Sequence, residues 1–114
     1  MHQTKSKKLI DEFLNKKDYQ CVSFFRSSPH GYLILLYIHY YQVNEENLSL
    51  AKLTELIPTR IASNLTVLNT VKVATESGFL IKDSNDQDRR EVSIKLDKIY
   101  LDEVNKWLES IDVK

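Results

Sequence analysis

Between Thr4 and Lys17 the apolar residues Leu9, Ile10, Phe13 and Leu14 recur at helical spacing among lysines, which predicts a first amphipathic helix. Asp18 to Arg26 stays open: Tyr19, Val22, Phe24 and Phe25 ask for burial, but so short a run fits a continuing helix or an extended connector. Ser28 followed by Pro29 is a helix start, a capping hydroxyl before the one helical position where a missing N–H costs nothing. The helix predicted from there to about Tyr41 is apolar nearly all round, through Tyr32, Leu33, Ile34, Leu35, Leu36, Tyr37 and Ile38, so it belongs at the centre of the core.

Gln42 to Asn47 reads as a polar loop, and Ser49 as the cap of a third helix carrying Leu50, Leu53, Leu56 and Ile57, ended by Pro58. A fourth helix opens between Thr59 and Ser63 and closes near Ser77, with Gly78 just beyond its end. Steps of about 100° per residue put Ile61, Leu65, Leu68, Val71 and Ala74 on one side and Thr66, Asn69, Thr70 and Val73 on the other. Phe79 to Lys82 reads as a strand, Asp83 to Asp88 as a turn, and Val92, Ile94 and Leu96 as the alternating positions of a returning strand. A last helix from about Asp97 carries Tyr100, Val104, Trp107, Leu108 and Ile111 in one stripe.

The expected fold is therefore mainly α with a small β-hairpin (α+β). Two short helices joined tightly and followed at once by a hairpin make a winged helix-turn-helix, in which the second helix of the pair lies in the DNA major groove and the hairpin reaches the neighbouring backbone or minor groove.

Composition sharpens this only in part. A chain of 114 residues, 42% hydrophobic and 28% charged, suits one domain over 1–114. Zero formal net charge argues against indiscriminate coating of nucleic acid, so local distribution must decide. Charge gathers in Asp83 to Arg90, where carboxylates adjoin a pair of arginines. On a wing, Asp86 or Asp88 would orient the guanidinium fork of Arg89 or Arg90 toward phosphates. The lone Cys21 excludes an intrachain disulfide, and with no charged leader before a long apolar run the reduced cytoplasm is the expected address. The apolar run Tyr32 to Ile38 is too short to cross a bilayer.

The stretches LSLAKLTEL, ESGFLIK and DQDRREVSIKL carry a resemblance to the winged helix of the MarR family of bacterial transcription regulators. Asp88, Arg89, Arg90, Val92, Ile94 and Leu96 fall on that family's wing pattern, and Gly78, Phe79 and Leu80 on the end of its recognition helix. LILLYIHYYQVNEENLSLAKL is similar to the shorter SarA-type branch, so the resemblance spans Leu33 to roughly Leu96. It implies a homodimeric regulator binding a two-fold symmetric site on double-stranded DNA, with terminal helices (about 4–17 and 97–113) pairing the subunits. Leu9, Phe13, Val104, Trp107, Leu108 and Ile111 are the expected interface residues; Trp107, Leu108 and Ile111 are either domain core or a dimer seam, the seam being favoured because a terminal helix with such a stripe has little else to cover.

For each candidate a plainer reading stands beside the functional one. Arg89 and Arg90 contact DNA or decorate a solvated turn. Ser63, Thr66, Asn69 and Thr70 suit a groove, since asparagine reads adenine bidentately and threonine meets phosphate or a thymine methyl, yet they suit water equally. Arg60 and Lys72 are expected at phosphates, where they supply affinity and salt dependence. Tyr32, Tyr37, Tyr40 and Tyr41 line an effector pocket or simply pack, packing being the commoner fate of aromatics at helical spacing. Cys21 is a redox sensor or an inert buried thiol; with no cation adjoining it in sequence, the inert reading is favoured. His2, His30 and His39 show no metal spacing, and no glycine-rich phosphate loop or nucleophile motif is present, so neither cofactor nor catalysis is expected. The rival to a DNA-binding regulator is a winged-helix protein-interaction module, which a neutral chain with a lysine-poor recognition helix would also fit.

Overall fold

The computed structural model describes residues 2–14, 19–85 and 88–111, with side chains described at 4–11, 13–14, 19–82 and 92–111. The order of elements is α1 (His2–Leu14), α2 (Gln20–Arg26), α3 (Pro29–Val43), α4 (Leu50–Leu56), α5 (Asn64–Glu76), β1 (Leu80–Asn85), β2 (Asp88–Leu96) and α6 (Lys98–Ile111). The stretch whose conformation the sequence left open is helical from Gln20.

Serine side chains start three of these helices. Ser28 Oγ accepts from Gly31 N–H at 3.0 Å, Ser49 Oγ from Lys52 N–H at 3.1 Å and Ser63 Oγ from Thr66 N–H at 3.2 Å, each using one of the N–H groups that a helix start leaves unpaired. Gly31 is required by space, because a Cβ there would lie 2.3 Å from the Phe25 carbonyl oxygen. At the end of α5, Gly78 takes φ +87, with Gly78 N–H donating to Thr75 O and Phe79 N–H to Ala74 O, the paired bonds of a Schellman turn. α3 closes the same way with Glu45 at φ 57. α2 has no side-chain cap of its own; Glu103 of α6 reaches across, and Val22 N–H donates to its carboxylate at 3.0 Å.

Beneath these ends sits one core, built from Cys21, Val22 and Phe25 of α2, Ile34, Leu35 and Ile38 of α3, Leu53, Val67, Val71 and Ala74 of the helix pair, Leu80, Ile94 and Leu96 of the hairpin, and Val104 and Trp107 of α6. Edge-to-face or tilted aromatic contacts run from Phe25 through Phe24 and Phe79 to Tyr100, tying α2 to the hairpin base and α6. Trp107 is 2% exposed and packs edge-on to Tyr32 at 6.0 Å. Val104 and Trp107, expected at a dimer seam, are therefore walls of the chain's own core. The buried centre of the α6 stripe is covered by α2 and by Tyr32 of α3 from the same chain.

α3 is less enclosed than its composition suggested. Gly31, Ile34, Leu35 and Ile38 are buried, but Tyr32, Tyr40 and Val43 are exposed, and a groove of about 560 Å³ runs along Leu33, Leu36, Tyr37, His39, Tyr40 and Val43.

β1 and β2 pair antiparallel from Leu80↔Leu96 to Asn85↔Asp88, with an irregularity between Ser84 and Asn85. The strands run through much of the segment read as a turn, so Asp88, Arg89 and Arg90 lie on β2 instead of at the tip. The far edge of β2 is also used: Ile94 N–H donates to the Leu48 carbonyl at 2.8 Å, and Ser49 bridges Ser93. That pairing buries Ser93 and anchors the start of α4 to the wing.

Candidate nucleic-acid interface

α4 and α5 form the helix pair, and the geometry of α5 decides what it can touch. Its buried residues are Val67, Val71 and Ala74, spaced i, i+4, i+7. Leu65 is 76% exposed, and Ile61 and Leu68 are exposed too, so these residues, grouped from the sequence on one side with Val71 and Ala74, point away from the core. The phase error has a physical origin. Apolar residues occur on both sides of α5, and only contact with α3, α4 and β1 selects which side is covered.

On the corrected face Leu65, Asn69, Lys72 and Glu76 all point outward, with Val73 and Thr66 toward one edge and Leu68 toward the other. Thr70 is half-buried, and its hydroxyl donates to the Thr66 carbonyl at 2.9 Å, so it does not belong to the outward set. Ser63 and Thr66 are exposed but engaged with each other, their hydroxyl oxygens 2.9 Å apart at the helix start. Their first duty is capping. Arg60 is exposed in the turn before α5, on the approach to the same end of the helix.

Beside α5 the hairpin presents Ile81 and Lys82 to solvent. Of the wing residues singled out in the sequence, Asp86 lies outside the described residues. Asp88, Arg89 and Arg90 have a described backbone on β2 and side chains outside the described set.

Leu9, Ile10, Phe13 and Leu14 of α1 are all exposed, and Arg26 stacks over the Phe13 ring at 4.6 Å from its centroid. Leu108 and Ile111 are half-buried. The tyrosines divide: Tyr37 and Tyr40 line the α3 groove, Tyr32 packs on Trp107, and Tyr41 lines a smaller polar hollow with Ser49 and Ser93.

Cys21 is fully buried, and its thiol is pushed up to about 12 by desolvation and by the Glu103 carboxylate nearby. Burial of this kind disfavours the thiolate and supports the inert reading of Cys21. No cluster of His, Cys, Asp or Glu among the described residues could hold a metal ion. No helix of the described residues is long and apolar enough to cross a membrane.

No protein-family signature matches the sequence, nor does any curated protein. Solved structures do match. A point mutant of MepR from S. aureus superimposes with a TM-score of 0.58 at 17% identity, covering 89% of this chain and 70% of that one. The heme sensor protein PefR from Streptococcus agalactiae, in complex with heme, gives a TM-score of 0.58 at 18% identity, covering 96% of this chain and 72% of that one. The fold is the winged helix of these solved structures. Within it α5 is the second helix of the α4–α5 pair and β1–β2 the hairpin that follows.

Two features of this interface escaped the sequence reading. Leu65 was hidden by its hydrophobicity, which reads as core, although the i, i+4, i+7 series Val67, Val71, Ala74 was there to compete with it. Gln42 was read as loop and is a structural tie: its side chain exchanges hydrogen bonds with the backbone of Leu96. No local signal marks such a partner.

Proposed function

We propose that this chain is a sequence-specific DNA-binding transcription regulator that occupies a two-fold symmetric site as a homodimer. The observation that carries this reading is the placement of α5, packed through one face only and leaving Asn69 and Lys72 outward beside a hairpin. In this reading α5 enters the major groove. Asn69 has the donor and acceptor to read adenine bidentately, while Lys72 and Arg60 neutralise phosphates. The wing, with Arg89 and Arg90 on β2, reaches the adjoining backbone, and Asp88 with Asp86 directs the guanidinium groups. The exposed stripe of α1 (Leu9, Phe13), with Leu108 and Ile111 of α6, pairs the subunits. Two α5 helices then stand about one turn of DNA apart.

A second reading has its own support. Ile61, Leu65, Leu68 and Val73 leave apolar surface around a recognition helix on a chain with no net charge, which suits a protein-interaction module. The experiment that separates the two is selection from a random pool of duplex DNA at near-physiological salt, with sedimentation of the complex. Recovery of a palindromic site bound by two chains supports the regulator. Failure of folded protein to retain any duplex would transfer the function to the interaction module.

A further inference from the structure

An outward leucine in the first turn of a recognition helix needs a reason, because exposed polar positions there would be free to bond bases, phosphates or water. Leu65 is the second residue of α5 and 76% exposed, while Asn69 and Lys72 lie one and two turns further along the same face. The N-terminal residues of a recognition helix are those that meet base edges. In the major groove an aliphatic side chain has one apolar partner on the bases of unmodified DNA, the C5-methyl of thymine. Lys72 on this face and Arg60 just before the helix carry positive charge, in keeping with a polyanion as its occupant, while Glu76 at the far end of the face carries the opposite sign.

We infer that Leu65 is a specificity-determining residue that packs against a thymine methyl in each half-site, with Asn69 reading an adenine nearby. This rests on the DNA-binding reading above and deepens it. Leu65 and Asn69 are separated by about 6 Å along the helix axis, so the two bases they read lie within roughly two base pairs of each other, the rise per step being about 3.4 Å. The half-site therefore contains a thymine and an adenine close together, and discrimination at the thymine comes from burying one methyl group and from no hydrogen bond.

The test uses the intact chain and the duplex it retains from the random pool. Each thymine of that duplex is replaced in turn by deoxyuridine, which lacks only the C5-methyl. The expected result is a single thymine per half-site whose replacement weakens wild-type binding about fourfold, the value of burying one CH₂-sized group. Leu65→Ala should bind the unmodified site more weakly, be indifferent to deoxyuridine at that position, and keep the wild-type unfolding midpoint, since Leu65 makes no part of the core. The inference is overturned if deoxyuridine is tolerated at every thymine, or if its penalty persists undiminished in Leu65→Ala. Folded wild-type protein that retains no duplex would instead overturn the DNA-binding reading itself, and the exposed leucine would then belong to a protein partner.

Discussion

The side-chain amide of Gln42 pairs with both backbone groups of Leu96: Leu96 N–H donates to Gln42 Oε1 at 2.7 Å, and Gln42 Nε2 donates to the Leu96 carbonyl at 3.2 Å. The end of α3 thus takes the place of a neighbouring strand at the last residue of the wing. It fixes the hairpin base against the core helix just before Asp97 opens α6, where Leu101 N–H donates to the Asp97 carbonyl. Gln42→Ala removes both bonds and leaves half-buried backbone groups short of partners. It should lower unfolding free energy by about 1–2 kcal/mol, read by urea denaturation. A change within error would mean that water replaces the amide at no cost.

Alkaline pH should destabilise the chain through Cys21. The folded thiol is pushed up to about 12 from its ordinary value of 9.0, so the unfolded state loses its proton first as pH rises. The stabilisation is fully present below about pH 9 and disappears as pH climbs toward the folded value. Cys21→Ala abolishes this contribution, so the stability of the wild type should fall relative to the variant across that window. Alkylation of the native protein at about pH 8 should proceed no faster than unfolding exposes the thiol. Rapid labelling of folded protein would contradict the burial.

Trp107 and Phe13 should behave in opposite ways. Trp107→Ala opens a cavity in the chain's own core and should cost about 3–5 kcal/mol, a loss seen at every protein concentration. Phe13→Glu alters an exposed residue of α1 and should leave the fold intact, while shifting sedimentation toward the monomer if α1 pairs the subunits. A monomeric wild type would remove α1 from that role.

The wing arginines predict a salt signature. Replacing Arg89 and Arg90 together by alanine should weaken binding to any duplex and reduce the slope of log affinity against log salt by roughly 0.9 for each phosphate no longer neutralised. Asn69→Ala should leave that slope alone and relax sequence choice. An unchanged slope in the double variant would take the wing off the DNA.

Local chemistry determined where most elements begin and end. Ser28 with Pro29, Ser49 and Ser63 act on N–H groups within the next turn, and Gly78 supplies a backbone angle that costs other residues energy, so these signals work without knowledge of the rest of the chain. The order of helices and hairpin, and with it the winged-helix fold, followed from them. Tertiary contact decided what each element faces. α5 has apolar residues on both sides, and only its neighbours bury Val67, Val71 and Ala74 while leaving Leu65 in solvent. The Trp107 stripe suited a partner chain as well as its own core, and α2 with Tyr32 of α3 claimed its centre. Gln42 and Glu103 find their backbone partners 54 and 81 residues away in sequence. Periodicity records that a face is apolar. Which surface covers that face depends on groups distant in sequence, and they meet it only when the chain folds.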